Sequence, residues 1–131
     1  MRVEIAIMDQ EKTEISNYFK DYIKGNVTID RFLIPFQIYG DHKTTTMLLV
    51  NGAQQAMGVW RPIIKKFGPN YRIVCFDFPG QGKGKILSGE FSVSLSEQLD
   101  ILHSIVKTTC SSSDVIMVGF SWGYYGSFLC Y

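Results

Sequence analysis

The stretch from Asp114 to Gly126 reads Asp-Val-Ile-Met-Val-Gly-Phe-Ser-Trp-Gly-Tyr-Tyr-Gly. Its apolar run Val115 to Val118 is rich in β-branched residues, which is typical of a strand buried on both faces of a parallel sheet. The pentapeptide Gly119-Phe-Ser-Trp-Gly123 follows directly and fits G-x-S-x-G. This pattern is typical of a nucleophile elbow, a tight strand-to-helix turn that lifts a serine hydroxyl above the edge of a sheet. Ser121 is therefore the candidate nucleophile.

The two glycines that flank the serine fit this interpretation. A Cβ atom at Gly119 or Gly123 would collide with a neighbouring strand or helix in so tight a turn. The helix that follows such a turn offers unpaired N–H groups and the positive end of its dipole to a developing oxyanion. The alternative is a glycine-rich turn with an incidental serine, and the rest of the chain decides between the two.

Two further strands and two helices are predicted upstream of this stretch. The apolar runs Thr46 to Val50 and Tyr71 to Phe76 predict buried strands. Helices are expected from about Met57 to Phe67 and from Ser94 to Thr108, and in the second the apolar residues lie on one side. Alternating strands and helices predict an α/β fold with a mostly parallel, doubly wound sheet and helices on both faces.

The first thirty residues predict a small addition to this core. Apolar residues alternate between Val3 and Ile7, which indicates a strand. From Glu11 to Lys24 they recur in the stripe of an amphipathic helix, which Gly25-Asn26 would end. A helix packed on the core is favoured over one that docks on a partner or a membrane. We therefore expect one domain over 1–131, with an added strand and helix in 1–30 and the core βαβ units in 31–131.

Two local patterns refine the elements of the core. Phe32 to Tyr39 is apolar around Pro35, and a proline inside a strand predicts an edge strand or a bulge. Ser94 and Glu97 have the spacing of a capping box, so the second helix is expected to begin there.

Composition limits the classes of function. A chain of 131 residues with 46% hydrophobic and 19% charged residues is typical of one globular domain. A net charge of +1 argues against a nucleic acid or an anionic membrane as partner. The cysteines Cys75, Cys110 and Cys130 form no C-x-x-C pattern, so we expect reduced thiols in a cytoplasmic protein, no zinc or other metal and no cofactor. No leader peptide and no apolar run of about 18 residues are present, so no secretion signal or membrane span is expected.

Three loops are predicted to meet at one edge of the sheet. They are Asn51-Gly52-Ala53, the glycine-rich segment Asp77 to Gly84, and the elbow, and each follows a strand. The carboxyl ends of parallel strands lie at the same edge, where ligands bind. The N–H groups of Ala53 and Trp122 are therefore candidates for a two-donor oxyanion hole.

These motifs together resemble the N-terminal half of an α/β-hydrolase-fold protein. The matching features are a strand that ends in Asn51-Gly52-Ala53, a strand that ends in Asp77-Phe-Pro-Gly-Gln-Gly-Lys-Gly84, and the Gly119 to Gly123 elbow. They occur in the order and with the spacing of the family, and the resemblance covers roughly Phe32 to Tyr131. Gly84 stands where the family usually has serine or threonine, which leaves the packing of that loop open.

The resemblance implies an enzyme that forms an acyl-enzyme on Ser121. It assigns the oxyanion hole to Ala53 and Trp122, makes Gly52, Gly119 and Gly123 motif glycines, and gives Asp77 a structural role in tying down its loop. The substrate is then an acyl ester or thioester, and the enzyme an esterase, a thioesterase or a 3-hydroxyacyl acyltransferase. Asn51 and the Ser121-Trp122-Gly123 sequence are similar to the 3-hydroxyacyl acyltransferases that make rhamnolipid precursors.

A serine nucleophile of this fold also needs an acid and a histidine, which follow the serine in the chain. His42 precedes its strand and is expected at the opposite edge of the sheet, ~20 Å away. His103 is expected about two and a half turns into its helix, ~13 Å from the start. Because ten residues follow Ser121, we expect a truncated fold whose isolated chain hydrolyses esters poorly, with a missing C-terminal half or a homodimer as the alternatives for completing it.

Two other classes of function are weighed against an enzyme. Gly80-x-Gly82-x-Gly84 superficially resembles a phosphate-binding loop, which would indicate a nucleotide-binding module, although neither G-x-x-x-x-G-K-[ST] nor G-x-G-x-x-G is present. A non-catalytic fragment that binds a partner through an unfinished sheet edge is the other alternative.

Overall fold

The computed structural model describes residues 2–9, 22–110 and 114–120. In these ranges the chain forms seven strands, one 3₁₀ helix and two α-helices. The strands are β1 (Val3–Asp9), β2 (Tyr22–Ile29), β3 (Phe32–Tyr39), β4 (Thr46–Val50), β5 (Arg72–Phe76), β6 (Lys85–Ile86) and β7 (Val115–Gly119). The 3₁₀ helix Met57–Trp60 leads into α1 (Arg61–Phe67), and α2 spans Leu95–Thr109.

All seven strands belong to one sheet with the order β1-β2-β3-β5-β4-β7, and the short β6 pairs with β3. The strands β5, β4 and β7 are parallel neighbours, and Leu48 in the middle of β4 faces Val74 on one side and Met117 on the other. This confirms the predicted α/β fold and its three adjacent parallel strands. The pairs β1 with β2, β2 with β3, and β3 with β5 are antiparallel, so the N-terminal strands add an antiparallel flank.

The helices cover both faces of the sheet, as predicted for a doubly wound fold. Successive residues of a strand point to opposite faces, and β4 shows this clearly. Leu48 lies in one core cluster with Ile101 and Ile105 of α2. Leu49 lies in a second cluster with Ile64 of α1. The five residues of β4 are all buried, which makes it the centre of the core.

The start of α2 confirms the predicted capping box. The Glu97 N–H donates to Ser94 Oγ at 3.1 Å, and the Ser94 N–H donates to Glu97 Oε1 at 3.1 Å. These two bonds satisfy N–H groups that the first turn of a helix would otherwise leave without a partner.

The predicted helix over 11–24 is wrong at its C-terminal end. Tyr22 to Lys24 belong to β2, and Gly25 and Asn26 continue that strand instead of ending a helix, opposite Phe36 and Pro35 of β3. Pairing with β3 overrides the helical spacing of the apolar side chains, because strand formation depends on cross-strand neighbours. Residues 10–21 lie outside the described part of the chain.

The prediction that Pro35 marks an edge or a bulge is also wrong, since β3 lies inside the sheet. The Pro35 carbonyl accepts a hydrogen bond from the Asp77 N–H at 3.1 Å. In an extended strand the nitrogen of a residue faces the same side as its carbonyl. On that side β3 pairs with β6 through Leu33 and with β5 from Phe36 onward. Pro35 therefore occupies the gap between two partners, where no ladder bond from its nitrogen is needed.

The strand β7 is less buried than the sequence predicts. Its residues are half-buried, and Ile116 is 43% exposed. Among the described strands β7 has one neighbour, β4, so it forms the outer strand on that side of the sheet. The expectation of burial on both faces is therefore not met within the described residues.

Candidate active site

The end of β7 lies directly against the loop that follows β4. Val50 and Gly119 are register partners, and the Phe120 N–H donates to the Val50 carbonyl at 3.3 Å. A Cβ atom added to Gly52 would lie 2.8 Å from the Phe120 carbonyl oxygen. Glycine is therefore required at position 52, because the two backbones approach too closely for a side chain.

Residues 52–55 form a tight turn beside this contact. The Gly52 N–H donates to Gln55 Oε1 at 3.0 Å, and the Gln55 N–H donates to the Gly52 carbonyl at 3.3 Å. Gln54 has a φ of 59°, a left-handed conformation that is uncommon for a residue other than glycine. Ala53, at the tip, is exposed.

Asp77 connects the three segments that surround this turn. Its side chain is buried, and Oδ1 accepts hydrogen bonds from the Met57 N–H at 2.7 Å and from Asn51 Nδ2 at 3.2 Å. Oδ2 accepts from the Lys83 N–H at 3.1 Å. The structural role expected for Asp77 is thus confirmed, and it reaches beyond its own loop to the start of the 3₁₀ helix.

Asn51 is directed into the core and not toward the sheet edge. It is fully buried. Its Oδ1 accepts from Trp60 Nε1 at 2.7 Å, and its Nδ2 donates to the Phe76 carbonyl at 3.0 Å. The side chain therefore fixes the ends of β4 and β5 and the 3₁₀ helix relative to each other.

The glycine-rich loop closes on the Asp77 carboxylate. A Cβ atom at Gly82 would lie 2.7 Å from Asp77 Cγ, and one at Gly84 would overlap the Phe78 carbonyl group. The Gly84 N–H donates to the Gln81 carbonyl at 2.8 Å. The packing that the sequence left open at Gly84 is thus resolved, because this position has no room for serine or threonine.

The same geometry argues against the nucleotide-binding alternative. A phosphate-binding loop presents its N–H groups to an anionic ligand. In this loop the Lys83 N–H already donates to the Asp77 carboxylate, and Asp77 lies against Gly82. A phosphate would have to displace that buried carboxylate or lie beside its negative charge.

Two cavities border these loops. A cleft of about 250 Å³ adjoins Ala53 and is lined by Ala53, Phe78, Pro79, Gln81, Val93 and Gln98. A larger groove of about 630 Å³ lies over β2 and β3, where Lys24, Lys83 and Lys85 contribute to its lining. The smaller cleft is the one that reaches the predicted oxyanion loop.

The model of the α/β hydrolase fold family matches residues 45–126, which is more than half of the chain. The chain belongs to the α/β-hydrolase fold family. The match begins just before β4 and ends at the last glycine of the elbow stretch, so it contains all three loops described above. A comparison with curated protein sequences found no significant match.

Solved structures of this family share the fold at low sequence identity. The thioesterase domain from the curacin biosynthetic pathway is 18% identical with a TM-score of 0.72, over 84% of this chain and 39% of that one. Epoxide hydrolase VrEH1 from Vigna radiata is 16% identical with a TM-score of 0.72, over 85% and 35%. A membrane phospholipase A, described as a bacterial virulence factor, is 20% identical with a TM-score of 0.70, over 82% and 34%. The chain thus spans little more than a third of the length of these hydrolase-fold structures.

The predicted site residues of this hydrolase-fold chain fall into two groups. The structure brings Gly52, Ala53 and Gly119 together at the carboxyl edge of the sheet. Ser121, Trp122 and Gly123 lie outside the described residues, so their roles remain predictions. The described Phe120 immediately precedes Ser121.

The chain has two histidines, His42 and His103. His42 is exposed in the loop that precedes β4, and His103 is exposed on α2. The carboxyl end of β4, where Gly52 and Ala53 lie, is the other end of that strand. His42 therefore lies at the end of β4 opposite to Gly52 and Ala53, as the sequence predicts.

The described thiols are poor alternatives to a serine nucleophile. Cys75 and Cys110 are buried and free. Burial raises the pKa of the Cys75 thiol far above its ordinary value, and the Asp77 charge adds to this. Burial also raises the pKa of Cys110. Both thiols stay protonated near neutral pH, where the thiolate is the reactive form.

Within the described ranges, no cluster of three His, Cys, Asp or Glu side chains is arranged to hold a metal ion. No described helix is long and apolar enough to cross a membrane.

Proposed function

We propose that this chain carries the nucleophile and the oxyanion hole of a serine hydrolase or acyltransferase that acts on acyl esters or thioesters. The observation that carries the proposal is the contact of Gly52 with Phe120, together with the Val50 and Gly119 register. These contacts bring the residue before Ser121 against the turn that holds Ala53. Ser121 is the next residue in the chain, and the proposal places its hydroxyl near a backbone N–H donor of this turn.

The hydrogen bonds of the 52–55 turn support Ala53 as that donor. The N–H groups of Gly52 and Gln55 are bonded within the turn, and the Gln54 N–H lies 3.1 Å from the Gln81 side chain. Ala53 N–H is the member of this set that has no partner among the described residues. The elbow pattern assigns the second donor to Trp122.

The reaction proceeds by acyl transfer through a covalent intermediate. Ser121 Oγ attacks the acyl carbonyl carbon and passes its proton to a base, while the N–H groups of Ala53 and Trp122 bind the oxyanion that forms. Collapse of the tetrahedral intermediate expels the alcohol or thiol and leaves an acyl-serine. Water then releases the acid, or an acceptor hydroxyl takes the acyl group. We assign the base to a residue other than His42 and His103, because His42 lies at the other end of β4 and the sequence predicts His103 to lie well along its helix.

The choice of acyl substrate rests on the elbow serine and on the family. Among the similar solved structures, one is named a thioesterase domain and another a phospholipase A. Asn51 is one of the features shared with 3-hydroxyacyl acyltransferases, but its side chain is buried in the core and does not face the site. The Ser121-Trp122-Gly123 sequence, which is similar to that of these acyltransferases, is the reason to include acyl transfer to a hydroxyl acceptor in the proposal.

Ester hydrolysis by the complete protein tests the proposal. We expect Ser121→Ala to lower kcat for a p-nitrophenyl ester by about 10³-fold or more. His42→Ala and His103→Ala serve as controls and should stay within about twofold of the parent, because such surface substitutions are usually neutral. Adding an alcohol acceptor and analysing the products separates acyl transfer from hydrolysis. Undiminished turnover by Ser121→Ala would contradict the proposal, and loss of turnover in either histidine variant would show that the base was misplaced.

A further inference from the structure

Gln81 links the glycine-rich loop to the turn that carries Ala53. Its backbone is fixed, because the Gln81 N–H donates to the Phe78 carbonyl at 3.0 Å and its carbonyl accepts from the Gly84 N–H. The side-chain amide reaches across to the neighbouring turn. With its nitrogen toward the Gln55 carbonyl and its oxygen toward the Gln54 N–H, the two distances are 3.0 and 3.1 Å. This orientation pairs each donor with an acceptor, which decides how an amide is placed.

These two bonds act on a strained part of the backbone. Gln54 has a φ of 59°, a conformation that non-glycine residues keep only where the surroundings enforce it. The Ala53 N–H belongs to the peptide between Gly52 and Ala53, and this peptide lies between the bonded N–H groups of Gly52 and Gln54. The Gln81 amide oxygen accepts from the Gln54 N–H, immediately after Ala53. Gln55 Oε1 accepts from the Gly52 N–H, immediately before Ala53.

We propose that Gln81 is a positioning residue for the oxyanion hole. It holds the Gln54 backbone, and thereby directs the neighbouring Ala53 N–H toward the oxyanion that forms at the nucleophile. The inference rests on the proposed function, since it needs Ala53 to be a donor. A donor must lie within hydrogen-bond distance of the oxyanion and not of the ground-state carbonyl. Removal of the Gln81 amide releases the turn, so the loss appears in kcat and leaves KM nearly unchanged.

Two substitutions separate the donor and acceptor roles of this amide. Gln81→Leu removes both hydrogen bonds at similar size. Gln81→Glu keeps an acceptor for the Gln54 N–H, but its carboxylate would face the Gln55 carbonyl oxygen. Once protonated, that carboxyl group again carries a donor and an acceptor. The matched control is Gln37→Leu, which removes another partly buried amide, one that accepts from the Tyr39 hydroxyl on β3.

The experiment uses the complete protein and a p-nitrophenyl ester. We expect Gln81→Leu to lower kcat about 10- to 100-fold, because a misplaced catalytic group costs rate on this scale. KM should change less than about twofold, as expected when only transition-state binding is lost. Hydrogen exchange at the Gln54 amide should become faster. For Gln81→Glu, the ratio of its kcat to that of the parent should rise as pH falls and the carboxyl group takes up its proton. Gln37→Leu should leave kcat and Gln54 exchange unchanged.

The outcomes distinguish this role from the function itself. If Ser121→Ala abolishes hydrolysis while Gln81→Leu keeps the parent kcat, the role of Gln81 is overturned and the serine hydrolase stands. If Gln81→Leu raises KM and lowers the free energy of unfolding but keeps the parent kcat, Gln81 has only a structural role. If Ser121→Ala hydrolyses the ester normally, the proposed function and the role of Gln81 both fail.

Discussion

The connection from β5 to α2 contains two successive loops that are held in different ways. The first, residues 77–84, closes around the buried Asp77 carboxylate, and its glycines have no room for a side chain at positions 82 and 84. The second, residues 87–94, is held at the surface by Arg31. That guanidinium donates to the carbonyls of Ser88, Glu90 and Ser92 and to the Glu97 carboxylate. Phe91, at the tip of the second loop, is 93% exposed.

This difference shows which loop is held more firmly. Buried hydrogen bonds and close backbone contacts define the first loop, and that loop adjoins the turn with Ala53. Surface contacts, which solvent screens, define the second loop. We therefore expect changes in the first loop to cost more free energy of unfolding than changes in the second.

The largest expected effect is at Gly84. Gly84→Ala places a Cβ atom where the Phe78 carbonyl lies, so the loop must open. We expect a loss of about 3 kcal/mol in the free energy of unfolding, at the upper end of the cost of overpacking. Urea unfolding followed by tryptophan fluorescence measures it. Gly58→Ala is the matched control, because a Cβ atom there meets open space, and an equal loss in both variants would contradict this account.

The next largest effect is at Asp77. Asp77→Asn keeps one acceptor oxygen but turns an NH₂ group toward either the Met57 or the Lys83 N–H. A buried donor left without an acceptor costs about 2 kcal/mol. The control is Asp41→Asn at the half-exposed ion pair with Arg72, where we expect less than about 1 kcal/mol. Equal losses in urea unfolding would show that burial does not distinguish the two carboxylates.

A smaller effect is expected from Arg31, which holds the second loop. Arg31→Ala should cost about 1 kcal/mol, because its partners can turn to solvent. The clearer consequence is local, since the exposed Phe91 should be cut faster by chymotrypsin once the carbonyls on either side are released. Arg61→Ala, at an exposed arginine outside this loop, is the control. An unchanged cleavage rate at Phe91 would mean that Arg31 does not order the loop.

The smallest effect concerns the pH dependence of the same contact. The hydrogen bond from Arg31, and then the one from the Ser94 backbone, lower the pKa of Glu97. A lowered pKa in the folded state gives stability that is present above the ordinary pKa of glutamate and is lost as pH falls through the lowered value. Glu97→Gln keeps the capping box but removes the charge. We expect its difference in stability from the parent to shrink as unfolding is measured at decreasing pH, and a difference that grows on acidification would contradict the sign.

The sequence predicted the parallel core and the cap of α2, because these depend on local signals. The apolar run of β4 spans five residues. Ser94 and Glu97 are three residues apart. The helical spacing of the apolar residues between Glu11 and Lys24 predicts a helix at Tyr22 to Lys24, whereas the pairing of these residues with β3 is set by partners further along the chain. Pro35 by itself predicts an edge strand or a bulge, because the gap between β5 and β6 is visible only in the folded sheet.

The sequence motifs predict which loops form the candidate site, but not the side-chain contacts between those loops. Asp77 was expected to hold its own loop, and its bond to the Met57 N–H was not foreseen. The inward direction of Asn51, the fit of Gly84 and the bridge from Gln81 were likewise not foreseen. Each of these contacts joins a side chain to the backbone of another loop, and such contacts carry no periodicity in the sequence. The left-handed conformation of Gln54 could not be predicted either, because glutamine is not a residue that favours it.

The most direct test of the central claim is to locate the acyl group on the protein. The complete protein would be mixed briefly with p-nitrophenyl acetate, quenched in acid, and analysed by mass spectrometry of its peptides. We predict an acetyl group on Ser121, a burst of p-nitrophenol that matches the fraction acetylated, and loss of both in Ser121→Ala. Turnover with the acetyl group on another residue, or a burst that persists in Ser121→Ala, would contradict the assignment of Ser121 as the nucleophile.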